Sequence, residues 1–185
     1  MFNTPYSFSF FRNNKAFSLI EVMIYSALLA VLVLVLSQLT LNTLTSYKTA
    51  KIKEDLIISS SRVLENFLRE SRNASKIYLP TTVLGNDLGE LSLATSFQPI
   101  NKNEPETYVD IYSTSGQIWI KREGESPQPL TGAGLEATQF KLLRSENSHQ
   151  REGIRLYVTL RSRINPEATL SFTTFAFLRG GYIQP

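Results

Sequence analysis

A long apolar run near the N-terminus, interrupted by one acid, is the strongest constraint on this chain. The run extends from Phe17 to Leu36. It has about the 20 residues that a helix needs to cross a hydrocarbon core of about 30 Å. Glu21 lies inside it. A carboxylate at the centre of such a span costs about 2.5 to 3.5 kcal/mol, and less toward an interface, so an acid there implies a partner. The run therefore predicts a membrane helix whose one acid has a specific use.

The residues just before the run predict a cleavage site. Cleavage after the small residue Ala16 would create an α-amine on Phe17, a cation able to neutralise Glu21 of a neighbouring subunit. An ordinary secretory signal peptide has an apolar core of about 7 to 15 residues followed by a small-x-small site. This longer run instead continues through Ser37-Gln38-Leu39-Thr40. A plain signal anchor would fit the length of the apolar run but would give Glu21 no role.

The string Ala16-Phe17-Ser18-Leu19-Ile20-Glu21, followed by a hydrophobic helix, resembles the N-terminal signature of type IV pilins and pseudopilins. In that signature a small residue, usually Gly, precedes Phe-Thr-Leu-x-Glu, so Ala16 and Ser18 are departures from it. The resemblance implies cleavage after Ala16 by a prepilin peptidase, N-methylation of Phe17 by the same enzyme, and a role for Glu21 in filament assembly. The implied partners are the prepilin peptidase, other pilin or pseudopilin subunits, and the membrane.

The sequence pattern predicts an α+β chain in three parts. These are a leader at 1–16, a long helix at 17–75 with its transmembrane part at about 17–38, and a β-rich head at 76–185 that packs a mostly antiparallel sheet on the helix. Arg12 and Lys15 in the leader favour a cytoplasmic N-terminus under the positive-inside rule, whereas the lysines at 48, 51 and 53 oppose it. We expect a single-pass protein of the inner membrane, with its head outside the cytoplasm, that later enters a pilus or pseudopilus.

The second half of the predicted helix has one apolar and one basic face. The apolar residues at helical spacing are Leu56, Ile57, Val63, Leu64, Phe67, Leu68 and Ala74, and the opposing cations are Arg62, Arg69, Arg72 and Lys76. The basic stripe makes a nucleic-acid partner possible. Glu65 lies between Arg62 and Arg69, however, which favours pairing within a solvated helix face. Without the leader the net charge of +3 falls nearly to neutrality. Nucleic acid is therefore a possible partner without support.

Alternating apolar residues predict the strands of the head. They are Glu90–Thr95, Tyr108–Tyr112, Gln117–Arg122, Thr138–Leu142, Ile154–Arg161 and Thr169–Leu178, with loops at Phe97–Pro105, Gly124–Gly134 and Ser145–Gly153. The second and third strands form a hairpin that turns at Ser113–Gly116 and points Val109, Ile111, Ile118 and Ile120 to one side. This hairpin, the Gln128-Pro129-Leu130 string and the late strand pair resemble J-type pseudopilins and W-type minor pilins.

No residue pattern in the head predicts catalysis or a cofactor. His149, the one histidine, lies in a polar loop without a recognised nucleophile motif, and the absence of cysteine excludes disulfides and thiolate metal sites. The acid pairs Glu104/Glu106 and Glu123/Glu125 lack the convergent ligand run that calcium needs. We therefore expect a non-enzymatic filament subunit. The alternative is a membrane-anchored binding module such as an adhesin or a DNA-uptake receptor.

One hairpin face carries the aromatic residues Tyr108, Tyr112 and Trp119. These side chains would form either a contact surface for a subunit or ligand, or a cover for a second side of the core. The alternation of side chains along the strands places these three aromatic residues on one face but does not decide between the two alternatives.

Overall fold

The computed structural model describes residues 18–95, 106–146 and 151–182, which contain one helix and eight strands. The helix α1 spans Leu19–Asn73. The strands are β1 (Lys76–Ile77), β2 (Glu90–Thr95), β3 (Thr107–Thr114), β4 (Gln117–Arg122), β5 (Gln128–Pro129), β6 (Leu135–Glu146), β7 (Arg151–Ser162) and β8 (Thr169–Tyr182). The predicted α+β class is confirmed, with a single helix packed on antiparallel sheets. The chain divides into two compact units, Met1–Tyr47 and Lys48–Pro185.

In the first unit, α1 turns nearly every side chain outward. From Ser18 to Tyr47 each residue is exposed except Glu21, which is half-buried. By length and composition, α1 is able to cross a membrane. This exposure of an apolar surface is what a helix surrounded by lipid, or by other such helices, requires.

In the second unit, the remainder of α1 packs on the sheets through one face. Leu56, Val63 and Phe67 are buried there, as the helical spacing predicted. The prediction for Ile57 is wrong, because 57% of that side chain is exposed. Polar residues complete the buried face instead, a feature that apolar spacing cannot reveal. They are Ser59, Ser60, Glu70 and Ser71.

The strands form two antiparallel sheets. The first has the order β1-β2-β3-β4-β5, and the second has the order β6-β7-β8. The predicted hairpin is confirmed, since β3 pairs with β4 and Ile111 lies opposite Ile120 in the core. Ser115 and Gly116 at its turn have φ angles of 52° and 74°. Such positive angles at both central residues match the right-handed twist of the strands.

Two loop predictions are wrong in part. The predicted loop Ser145–Gly153 contains the end of β6 and the start of β7, although residues 147–150 lie outside the described part of the chain. An ion pair between Arg144 and Glu152, with Nε and Oε1 2.6 Å apart, joins these two strand ends. Charged side chains therefore extend the hairpin beyond its apolar alternation. The predicted connection Gly124–Gly134 likewise contains the short strand β5.

A segment between β1 and β2 connects the two sheets. The amide of Gly85 donates to the carbonyl of Leu142 at 2.9 Å, and that of Gly89 donates to the carbonyl of Phe140 at 2.8 Å. A Cβ at Gly89 would lie 2.8 Å from the carbonyl oxygen of Val83, so the close approach requires glycine. Residues 85–89 thus occupy the outer edge of β6.

Candidate functional site

The start of α1 fixes the position of the acid. The carbonyl oxygen of Ser18 accepts hydrogen bonds from the amides of Glu21 at 3.0 Å and Val22 at 3.2 Å, which places Glu21 in the first turn. The unpaired amides there give a helix N-terminus a partial positive charge, which favours a carboxylate. Local helix geometry therefore reduces the cost of the Glu21 charge without removing it.

Tyr25 is the side chain that contacts Glu21. Its hydroxyl donates to Oε1 of Glu21 across 3.4 Å, a long hydrogen bond from a neutral donor one turn along the helix. Among the side chains that the structure describes, no cation pairs with Glu21. The sequence interpretation missed Tyr25, although the i, i+4 spacing was the available signal. Tyr25 orients the carboxylate and leaves its charge uncompensated.

Five hydroxyl side chains of this part of α1 are hydrogen-bonded within the helix. Each of five hydroxyls donates to a backbone carbonyl three or four residues earlier, at 2.8 to 2.9 Å; they belong to Ser26, Ser37, Thr40, Thr43 and Thr45. A hydroxyl satisfied in this way can face hydrocarbon at little cost. Glu21 therefore differs from these neighbours, because its charge needs a group from elsewhere.

Ala16 and Phe17, the predicted cleavage and methylation residues, lie outside the described residues. The structure thus places Glu21 and not the Phe17 α-amine proposed as its partner.

Lys51 lies on the far side of the apolar run. Its Nζ is 3.3 Å from Oε2 of Glu54 and 3.3 Å from Oδ1 of Asp55. Hydrogen bonds to Glu54 and then Asp55 raise the pKa of Lys51. Lys51, one of the three lysines that oppose the expected topology, is therefore paired with acids of the same helix.

An ion pair in the second unit connects α1 to β4. Oε1 of Glu70, whose side chain is 10% exposed, lies 2.7 Å from Nη2 of Arg122 and 3.2 Å from Nη2 of Arg69. The expected pairing of Arg69 with Glu65 is wrong, because Glu70 is the acid that Arg69 contacts. Two cations of the predicted basic stripe are therefore paired with acids. Arg69 contacts Glu70, and Lys76, which lies in β1, is 2.9 Å from Glu106. The geometry adds no support for a nucleic-acid site on this face.

The predicted acid pairs in the head have local protein partners. Glu106 pairs with Lys76, Glu125 lies 3.6 Å from Arg122, and Glu123 accepts the amide of Tyr108 at 3.0 Å. Across the described residues, no group of three or more acids or histidines could hold a metal ion. Glu104 and His149 lie outside those residues.

The aromatic hairpin face is partly covered. Tyr108, Tyr112 and Trp119 are each half-buried, and the ring of Tyr78 lies 4.9 Å from that of Tyr108. The segment after β1 therefore packs on this side of the first sheet. This contact favours a structural role at Tyr108 over the bare contact surface that was the other alternative.

Residues 11–37 match the family model described as the prokaryotic N-terminal methylation motif. This motif is characteristic of type IV pilins and pseudopilins, and it includes Ala16, Phe17, Glu21 and most of the apolar run. The resemblance seen in the sequence is confirmed over this segment, without specifying a subgroup. No curated protein and no solved structure matches the chain. The chain carries the signature of a type IV pilin-like precursor that a prepilin peptidase processes.

Proposed function

We propose that the chain is a non-enzymatic filament subunit, a minor type IV pilin or a type II secretion pseudopilin of the J-type or W-type group. It is made as a single-pass precursor in the inner membrane, with leader 1–16, helix 17–75 spanning the membrane at about 17–38, and head 76–185 outside the cytoplasm. The supporting observation is Glu21, an acid that pairs with no cation among the side chains that the structure describes, in a helix segment where five hydroxyls donate to backbone carbonyls of the same helix.

In this proposal, cleavage of the precursor creates the cation that pairs with Glu21. Hydrolysis of the Ala16–Phe17 peptide bond releases the leader and leaves an amine on Phe17, which stays protonated after a single methylation. A neighbouring subunit then brings its Glu21 to this amine, and the two charges neutralise each other in a medium where each alone is costly. Tyr25 holds the carboxylate by its hydroxyl while the amine approaches.

The first test is N-terminal mass analysis of the full chain after coexpression with a prepilin peptidase. We expect a chain that begins at N-methylated Phe17. Ala16→Gly should be cleaved at least as completely, because it restores the usual residue of the motif, and Ala16→Leu should be cleaved poorly. An intact Met1 terminus in the unaltered chain, with an active peptidase shown on another substrate, would refute processing at this site.

The second test separates cleavage from assembly. Glu21→Gln keeps the shape of the side chain and removes its charge, so we expect normal insertion and cleavage but little incorporation into filaments. Tyr25→Phe is the matched control, because it keeps the carboxylate and removes only the neutral hydrogen bond. It should assemble much better than Glu21→Gln. Normal filaments from Glu21→Gln would show that the counter-ion role is wrong, whatever the result for cleavage.

A further inference from the structure

Among the described residues, the second sheet has one edge without a paired strand, at β8. Its strand order is β6-β7-β8, and residues 85–89 hydrogen-bond to the outer edge of β6. The strand that pairs with β8 among the described residues is β7. An edge strand presents unpaired amides and carbonyls that can pair with another strand. With 14 residues, β8 is long for such an exposed edge.

β8 lacks the usual protection against strand pairing. Natural edge strands commonly carry lysine or other charges, or proline, to prevent association. From Thr169 to Leu178 the sequence has neither a charged residue nor a proline. It consists largely of threonine and phenylalanine, residue types that fit β-structure well. The chemistry of this edge therefore permits addition of another strand.

Both faces beside this edge have incompletely covered apolar side chains. On the outer face Phe177 is 44% exposed, and its ring packs edge-on against that of Phe175 with centroids 4.6 Å apart. On the inner face Leu170 and Phe172 are only partly buried where they pack at the core. A strand added to β8 would cover side chains on both faces, so apolar burial would accompany the new backbone hydrogen bonds.

Comparison with the other described sheet edges indicates that the strand added to β8 is β8 of a second copy. In the first sheet the edge strands β1 and β5 have two residues each, and β5 includes Pro129, which has no amide to donate. A second copy therefore offers one long edge, which is β8 itself. Two identical edges join only around a two-fold axis, which makes the paired strands antiparallel. The uncharged sequence avoids the repulsion of like charges brought face to face.

We propose that two copies of this chain pair through β8, in antiparallel register over part of Thr169–Phe177, to form a continuous six-stranded sheet. The interface is self-complementary, so it closes at a dimer. It goes beyond the proposed filament role and requires neither cleavage nor Glu21. Anchoring both copies in one membrane would raise their effective concentration and favour the pair.

The absence of cysteine makes a direct test possible. Single cysteines are introduced at each position from Thr169 to Phe177 in the full-length chain, which is expressed in membranes without other pilins and then oxidised. Around a two-fold axis only the central residue lies opposite its own copy. A cysteine two residues away is displaced from its copy by about 14 Å along the strands, too far for a disulfide. We expect one maximum of crosslinked dimer with a steep decline on both sides.

Two matched variants complete the test. Thr138→Cys, exposed on β6 across the same sheet, should show only collisional crosslinking. Thr173→Lys, at an exposed position of β8, should reduce the maximum to that level, whereas Thr138→Lys should not. A uniform yield along β8, a yield no higher than at Thr138, or a ladder of larger oligomers would each overturn the proposal. Cleavage is scored separately on the same samples, so failure here is distinct from failure of the filament function.

Discussion

Truncation of Phe67 should weaken the attachment of α1 to the sheets by a large and measurable amount. The Phe67 side chain is 0% exposed and lies in the main core with Val63 and Leu56. Phe67→Ala removes most of the ring and leaves a cavity that surrounding groups fill only in part. Such a change costs about 3 to 5 kcal/mol. Against a total stability of about 5 to 15 kcal/mol, this loss is a substantial fraction.

Trp119 provides the assay, because it is the one tryptophan of the chain and lies half-buried on β4. Its fluorescence during urea unfolding of the full chain in detergent reports on the second unit alone. At a slope of about 2 kcal/mol per molar urea, Phe67→Ala should lower the midpoint by about 2 M.

Ile57→Ala on the same helix is the control for Phe67→Ala. The Ile57 side chain is 57% exposed, so its truncation should change stability by no more than about 0.5 kcal/mol. Equal losses for the two variants, or a larger loss for Ile57→Ala, would refute the packing derived for this helix.

Three further substitutions test charged groups of the second unit by the same fluorescence assay. Burial, and then the carboxylate of Asp110, raises the pKa of Glu90, so its ionisation at neutral pH opposes folding. Glu90→Gln should therefore stabilise the protein at pH 7, with the gain lost below the ordinary glutamate pKa of about 4.3. The hydrogen bond from Arg161 lowers the pKa of Glu136, so Glu136→Gln should destabilise slightly at pH 7 and have no effect in acid below the lowered pKa. Equal signs for these two substitutions at pH 7 would contradict the assigned causes. Glu70→Gln, which leaves Arg122 without its short ion pair, should cost about 1 to 2 kcal/mol after allowance for the partial exposure of Arg122. A double-mutant cycle with Arg122→Gln checks this coupling, and additive losses would show that the pair contributes nothing.

The parts of the fold that the sequence predicted share a simple repeating signal. The hairpin of β3 and β4 was recognisable because Val109, Ile111, Ile118 and Ile120 alternate with polar and aromatic residues, and all four are buried. The part of α1 that could cross a membrane was recognisable from the length of its apolar run. The first signal is the alternation along each strand, and the second is the length of one apolar segment. Each can be read from a single element, so no knowledge of neighbouring elements was required.

The missed features depend on contacts between distant segments. Glu70 is buried on α1 because Arg122, 52 residues later, reaches its carboxylate. The ends of β6 and β7 are charged, so the Arg144–Glu152 pair rather than apolar alternation accompanies their pairing. Residues 85–89 join the two sheets through backbone groups, which leave almost no side-chain signal except the constraint on Gly89. In each case the determining partner lies outside the window that a periodic pattern can read.

The proposed assembly site differs from both groups, because in the proposal its cation forms only when the precursor is cleaved. The charge of Glu21 is visible as an anomaly in the apolar run, and its helix-terminal position and Tyr25 contact explain how one chain tolerates and orients it. Neither contact supplies a full positive charge. If the Phe17 amine is the partner, it appears only when a peptide bond is cut, and it acts on another molecule. The need of Glu21 for a cation can therefore be derived from one chain, whereas in the proposal the cation comes from a second, processed chain.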